Sequence, residues 1–201
     1  MRRFRGLGIV PLAVLLSVAP AAAQTFGIRA GGTSSSASFE TQQDLTATSR
    51  SGPAFAVFFD VDTDDFISFQ TEVGYQGKGF GFQGETTGEV VLDYLTLDGL
   101  FKLGAPLGIV RLGGLAGIGM AGATKCEIDG QKCKDAGADV NTLDFSATIG
   151  AEAALLLGDL WSIWGDVRYA VGLSNINKTD EVFTDLKNKA WVFTVGVGFA
   201  M

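Results

Sequence analysis

A period-two alternation of bulky apolar and small or polar side chains runs along most of this chain, and it predicts β-strands. In the C-terminal segment AWVFTVGVGFAM, Trp191, Phe193 and Val195 fall on one face, whereas Thr194 and Gly196 fall on the other. Eight such segments follow one another, separated by clusters of Gly, Asp, Asn and Ser. Beyond the N-terminal segment no apolar run reaches the roughly 18 residues that indicate a transmembrane helix.

The connections between these segments alternate between short and long. This arrangement is typical of an outer-membrane barrel, which has short periplasmic turns at one end and long external loops at the other. The predicted fold is all-β, an eight-stranded antiparallel up-and-down transmembrane β-barrel with strands of about 9 to 13 residues. Turns are predicted near 63–64, 105–106 and 158–159, and long loops at 34–51, 79–89, 124–141 and 175–189.

The composition of the two strand faces favours a membrane barrel over a soluble one, since both kinds of barrel alternate. The non-apolar face is mostly Gly, Ala, Ser and Thr, which is too poor in charge for a soluble surface but suits a crowded lumen. The apolar face then contacts lipid and carries an aromatic girdle at each interface. Core packing of a periplasmic sandwich is the alternative. The predicted girdle residues are Tyr75, Trp161, Tyr169, Trp191 and Phe199.

The first 23 residues have the three parts of a secretory signal peptide. Arg2, Arg3 and Arg5 form a basic start, an apolar stretch follows, and residues 21–23 are a run of alanines that supplies the cleavage pattern. We therefore predict a cleaved signal peptide at 1–23 and a barrel domain at 24–201. Removal of the signal leaves 12 basic against 22 acidic residues, a net charge of −10, so the exported protein is acidic.

Several charged residues fall on the face predicted to line the lumen. An unpaired charge in a narrow barrel is costly, so these groups are expected to form ion pairs. We favour a salt-bridge network that fills and stiffens the barrel over a transport pathway. The predicted network comprises Arg29, Glu72, Asp98, Lys102, Arg111, Asp144, Glu152, Asp166 and Arg168.

Cys126 and Cys133 enclose the short segment EIDGQK inside the third long loop. Because an exported protein passes through an oxidising compartment, this even pair predicts a disulfide. The segment DVDTDD at 60–65 resembles the start of a calcium loop, but it lacks the Gly and Glu that an EF-hand needs at its sixth and twelfth positions. We interpret it as a solvated acidic turn and predict no metal site.

Three segments resemble a known family: ISFQTEVGYQGKGF, VVLDYLTLDGLFKLGAP and VRLGGLAGIGMAG. Together with a last strand that carries Phe199 near its end, they are similar to the small outer-membrane β-barrel domain called porin family or OmpA-like. The resemblance implies the outer membrane of a Gram-negative bacterium, reached through the periplasm. It implies outer-membrane lipid and lipopolysaccharide as partners, and a barrel-assembly machinery that reads a terminal phenylalanine; this chain ends Phe199-Ala200-Met201.

The sequence contains no histidine, which excludes Ser-His-Asp hydrolysis, histidine acid–base catalysis and the commonest zinc sites. Its 15 basic residues against 22 acidic ones also argue against nucleic-acid binding. We predict no enzyme and no cofactor. The favoured function is a structural or interaction barrel with a plugged lumen, which could display loops to an extracellular ligand of unidentified chemistry. The alternative is a narrow passive porin for small solutes.

Overall fold

The computed structural model describes residues 24–40, 46–84, 87–137, 141–175 and 184–201. The predicted signal peptide lies outside the described residues. Within them the chain is almost entirely β-strand, and no described helix is long and apolar enough to cross a membrane. The strands are β1 Gln24–Glu40, β2 Thr46–Asp62, β3 Ile67–Gln83, β4 Gly88–Leu107, β5 Val110–Ile128, β6 Gln131–Lys132, β7 Leu143–Leu157, β8 Trp161–Gly172 and β9 Thr184–Ala200.

Eight of these strands close into an antiparallel barrel, which confirms the predicted fold class. Each long strand pairs with its neighbours along the chain, and β1 pairs with β9 to close the ring. The two-residue strand β6 pairs only with β5, in a hairpin outside the wall. When residue pairs are traced from strand to strand through β2, β3, β4 and β5, Arg29 leads to Asp144 of β7. Traced the other way round the barrel, through β9 and β8, Arg29 leads to Ala154 of the same strand. The two end points are ten residues apart, and this stagger gives the strands the tilt that closure requires.

The two ends of the barrel differ. At the turn end, the connections β2–β3, β4–β5 and β7–β8 are tight, and both Gln24 and Met201 lie there, joined by a backbone hydrogen bond of 2.8 Å. At the loop end lie the longer connections between β1 and β2, β3 and β4, β5 and β7, and β8 and β9.

The strands are longer than predicted, reaching 20 residues in β4. They run into all four segments predicted as long loops, so those boundaries were wrong. In the loop-end parts of β1 and β9 the outward positions are Ser34, Ser36, Ser38, Lys187 and Lys189, so the apolar alternation that marks a strand is lost there. The backbone ladder continues all the same, because the strands already paired in the membrane extend that pairing outwards.

Large apolar side chains cover the outer face, as the alternation predicts. Phe26, Leu95, Ile118 and Phe193 are all exposed, while the positions beside them point into the lumen. Outward Gly99 and Gly165 have open space where a side chain would stand. In a soluble protein such a surface would aggregate, whereas in a bilayer lipid chains cover it.

The longest interruption of the ladders in the described wall is a seam between β2 and β3. Their ladder is interrupted between Ser49 and Ala54, a stretch that contains Pro53, which has no backbone donor. Side chains replace the missing donors: the Thr33 hydroxyl donates to the Gly77 carbonyl, Ser35 Oγ to Gly79 O at 2.8 Å, and Arg50 Nη1 to Lys78 O at 3.1 Å. The carbonyls of the seam are therefore satisfied from neighbouring strands rather than by the ladder.

Candidate functional site in the barrel lumen

The turn-end half of the lumen is filled by a connected group of polar side chains, which we call the ionic plug. All of its charged members are nearly inaccessible to solvent, with side chains at most 5% exposed. The plug consists of Arg29, Asp60, Gln70, Glu72, Lys102, Glu152, Asp166 and Arg168.

Two arginines share two carboxylates on one side of the plug. Arg168 of β8 donates from both terminal nitrogens to the carboxylate of Glu72 on β3, at 3.1 and 3.0 Å. Its Nε lies 2.8 Å from Asp166, which also accepts a hydrogen bond of 2.6 Å from Arg29 Nη1 and one of 2.6 Å from Thr194. Bidentate contacts between arginine and carboxylate fix geometry as well as charge.

Lys102 connects the residues on the other side of the ionic plug. Its ammonium lies 2.5 Å from Asp60 Oδ2 and 2.9 Å from Glu152 Oε1. It also donates to Gln70 Oε1 at 3.2 Å, and the same oxygen accepts a bond of 3.1 Å from Arg29. The amide of Gln70 therefore joins both halves of the plug into one network that spans the lumen.

Aromatic rings complete the packing around the cations. The guanidinium of Arg29 lies 4.3 Å from the centre of the Phe58 ring, and the ammonium of Lys102 lies 4.1 Å from that of Trp164. The two rings meet edge to face at 5.9 Å. Each of these two cations thus has carboxylates on some sides and a ring face on another.

Three residues of the predicted network lie outside the plug. Arg111 pairs with Asp62 at 2.6 Å at the turn-end mouth, where both are partly exposed. Asp98 lines a cavity of about 10 Å³ next to the plug, shared with Lys78, Gln76 and Arg168. That volume suits a single water molecule.

The third, Asp144, belongs to a polar group nearer the loop end. It accepts hydrogen bonds from Ser174 Oγ at 2.5 Å and from Asn188 Nδ2 at 3.1 Å. The same amide nitrogen reaches the Tyr94 hydroxyl at 3.0 Å. This group ties together β4, β7 and β9 without an ion pair.

The loop-end half of the lumen is apolar, in contrast to the plug. Tyr94 is fully buried, and Leu92 and Phe80 are each 1% exposed. We call this cluster the apolar cap; it consists of Ala37, Phe80, Val90, Leu92, Tyr94, Ala121 and Leu186. The described lumen thus holds the ionic plug toward the turn end and the apolar cap toward the loop end.

Sequence reasoning missed two charged lumen residues. Asp60 was placed in a solvated turn, but it belongs to β2 and is 2% exposed, paired with Lys102, so that interpretation was wrong. The period-two pattern that starts at Phe58 points Asp60 inwards and could have revealed it. Lys78 is 5% exposed on β3, with its ammonium 5.5 Å from the Tyr94 ring centre. No signal marked it, because its neighbours in sequence are glycines.

The structure places the predicted girdle residues at two levels of the outer face. Trp161 and Phe199 pack together near the turn end with ring centres 5.2 Å apart. Tyr169 and Trp191 pack 4.9 Å apart nearer the loop end. Tyr75 lies on β3, in register with Phe55 of β2.

The structure joins Cys126 and Cys133 in a disulfide, with their Cα atoms 5.5 Å apart. It closes the β5–β6 hairpin, whose tight turn has positive φ at Asp129 and Gly130. Cys126 packs against the apolar cap, and Asp129 accepts a hydrogen bond of 2.8 Å from the backbone of Glu89. The hairpin is thus held to the barrel at its loop end.

A family model described as outer membrane protein beta-barrel domain matches residues 8–199, nearly the whole chain. The chain belongs to this family. Its homology to bacterial outer-membrane barrels implies an outer-membrane location. No curated protein matches the sequence.

Solved structures share the architecture at low sequence identity. The outer membrane protein OprG from Pseudomonas aeruginosa is 16% identical, with a TM-score of 0.62 over 90% of this chain and 97% of that one. Ail of Yersinia pestis is 14% identical, with a TM-score of 0.45 over 88% and 98%. The outer membrane enzyme PagL is 17% identical, with a TM-score of 0.44 over 82% and 97%. The similarity to OprG concerns the fold alone.

Proposed function

We propose that this chain is a structural and interaction protein of the outer membrane, with a sealed lumen and loops that contact partners outside the cell. The observation that carries the proposal is the ionic plug. It braces β1, β2, β3, β4, β7 and β8 across the lumen through contacts of 2.5 to 3.5 Å. Above it the apolar cap fills the rest of the interior, so a passing solute would have to break both.

The same contacts argue against catalysis. The lumen carboxylates Glu72, Glu152 and Asp166 are each engaged by a cation, so they are poor candidates for proton transfer to a substrate. The sequence offers no histidine to act instead. We therefore propose that the barrel performs no chemistry, and that its rigid wall serves to anchor and display the loop end.

Recording from planar bilayers tests the sealed lumen. The purified mature protein, refolded and checked for the mobility difference of boiled and unboiled samples, is expected to give no steady channel. A steady open channel of nanosiemens size would contradict the proposal and support the passive porin. Asp62→Asn at the turn-end mouth lies outside the plug and serves as the matched control, which should remain equally silent.

We further propose that the loop end faces the cell exterior and that the terminal segment with Phe199 is read by the barrel-assembly machinery. Lys132 and Lys134 are exposed on the loop-end hairpin. An amine reagent that cannot cross membranes should therefore label both lysines on intact cells. Labelling only after the outer membrane is permeabilised would contradict this orientation.

A further inference from the structure

The apolar outer face is taller on one side of the barrel than on the other. On β7 the outward positions are apolar along the whole strand, Leu143–Leu157. On β4 they are apolar over 95–107, and on β5 over 110–120. At about 3.3 Å per residue and a tilt of about 40°, each residue adds roughly 2.5 Å of height, so β4 and β7 are apolar over about 30 to 35 Å. We call the outward faces of β4, β5 and β7 the tall flank.

The strands on the other side carry a shorter apolar face. Along the described part of β1, the outward apolar positions occupy only 26–32, and Ser34 follows towards the loop end. On β9 they occupy 191–199, and Lys189 follows in the same direction. The outward series thus changes from apolar to polar within the height of a bilayer on both strands.

The two strands next to β1 continue this short face. On β2 the outward apolar positions occupy 53–61, with Ser51 next, and on β3 they occupy 67–75, apart from Thr71. The same rise and tilt give about 15 to 20 Å of apolar height on all four strands. We call the outward faces of β1, β2, β3 and β9 the short flank.

Two residues at the same distance from the turn end illustrate the contrast. Ser34 lies ten residues from Gln24 at the start of β1, and Met120 lies ten residues from Val110 at the start of β5. Both lie between buried neighbours and so point outwards. A hydroxyl on the short flank therefore stands at the height of a thioether on the tall flank, and the loop-end border of the apolar face is oblique.

A tilt of the barrel cannot correct this difference, because tilting shortens the vertical extent of both flanks. The hydrocarbon layer of a typical bilayer is about 30 Å thick, which matches the tall flank and exceeds the short flank. In an undeformed layer of that thickness, Ser34 and Lys189 would lie among acyl chains, where a charged side chain is costly. Local thinning of a bilayer, by contrast, costs little for each ångström of mismatch.

We propose that the short flank thins the hydrocarbon layer of the outer membrane beside it by about 10 Å, while the tall flank contacts a layer of full thickness. The partner of the short flank is thus a lipid surface with a shortened acyl-chain layer. The heights are counted on the outer wall alone. The inference therefore depends neither on a sealed lumen nor on which end of the barrel faces the cell exterior.

Spin labels at matched heights test the proposal. Ser34→Cys and Met120→Cys are made in the full-length mature barrel, labelled without reductant so that the disulfide stays closed, and reconstituted in phosphatidylcholine bilayers with a hydrocarbon layer of about 30 Å. Electron paramagnetic resonance measures the accessibility of each label to a water-soluble nickel chelate and to oxygen, which concentrates in hydrocarbon. The ratio of nickel to oxygen accessibility should be several-fold higher at position 34 than at position 120.

Two results would overturn the proposal. Labels in hydrocarbon at both positions would show that the bilayer keeps its thickness all round the barrel, and labels in water at both would show that the tall flank does not contact a full layer. Ser51→Cys and Phe145→Cys lie eleven and twelve residues from the turn ends of β2 and β7. They repeat the comparison on a second pair of strands, should either of the first two variants fail to refold.

Raising the short flank should remove the thinning. Ser34→Leu, Ser36→Leu and Lys189→Leu together extend the apolar face towards the loop end. With the label at position 51, which is in register with Ser34, the nickel-to-oxygen ratio should then fall to the value at position 120. The matched control combines Ser34→Thr, Ser36→Thr and Lys189→Arg, which keeps these positions polar and should leave the ratio unchanged. An unchanged ratio in the leucine variant would contradict the proposal.

Discussion

The two halves of the lumen are filled by opposite chemistry. At the level of the outer apolar face the interior holds the ionic plug, so charge is inside and lipid outside. Beyond the Tyr169–Trp191 pair the order reverses, with serines and lysines outside and the apolar cap inside. The loop-end part of the barrel is thus organised like a soluble barrel, in which surrounding water favours burial of apolar side chains. The part within the membrane relies instead on paired charges in the lumen.

This difference in chemistry predicts how substitutions destabilise each half of the lumen. A charge network depends on every partner, because removing one leaves others buried and uncompensated. An apolar cluster loses stability in proportion to the volume removed. Substitutions in the two halves should therefore differ in the size of their effect on stability.

Lys102→Met should destabilise the barrel most, by about 4 kcal/mol, because it strands the carboxylates of Asp60 and Glu152 in the lumen. The midpoint of urea unfolding, followed by tryptophan fluorescence, measures the effect. Lys125→Met, which cuts an exposed pair with Glu127, is the control and should leave the midpoint in place. Equal midpoints for the two variants would show that the plug does not support the fold.

Leu92→Ala in the apolar cap should cost about 3 kcal/mol, through lost burial and the cavity that it leaves. The control is Leu95→Ala on the outward face of the same strand, where the side chain is 56% exposed and a smaller loss is expected. Equal losses for Leu92→Ala and Leu95→Ala would show that burial in the apolar cap does not support the fold.

Replacing both Cys126 and Cys133 by serine should cost about 2 kcal/mol, since the bridge closes only a short loop. The loss should be concentrated at the loop end, and faster amide exchange at Val90 and Leu92 than at Lys102 would show this. In the parent protein a thiol reagent without reductant should label neither cysteine. Labelling of either one would contradict the bridge.

Arg168→Lys should have the smallest effect, about 1 kcal/mol, because it keeps the charge while it loses the two-point contact with Glu72 and the Nε contact with Asp166. The same urea titration measures it. A loss as large as that of Lys102→Met would mean that geometry, rather than charge, holds the plug together.

Strand number, strand faces and the inward direction of most lumen charges could be predicted from the sequence, because the period of two is a local property. The ion-pair partners of those charges could not be predicted. Arg29 and Asp166 meet although 137 residues separate them, and their meeting depends on the stagger of the whole barrel. That stagger is set by the sum of all strand registers, which no local pattern encodes.

The strand ends were hidden for a related reason. Residues such as Ser34 and Ser36 carry no apolar alternation, so the sequence around them is typical of a loop, yet their backbones pair with β2 and β9. The apolar cap was missed in consequence, because Ala37, Phe80 and Leu186 all fall in segments predicted as loops. Lys78 was also missed, because it lies between two glycines directly before such a segment.

The seam between β2 and β3 is the position at which two strands of this closed barrel should separate most easily. Along most other strand pairs, separating two strands breaks a long row of amide–carbonyl bonds, but here the hydroxyls of Thr33 and Ser35 and one guanidinium hold the strands together. Rotating a hydroxyl costs less energy than separating a paired backbone. Thermal motion should therefore open the described wall first at this point, near its loop end, while the rest of the ring stays shut.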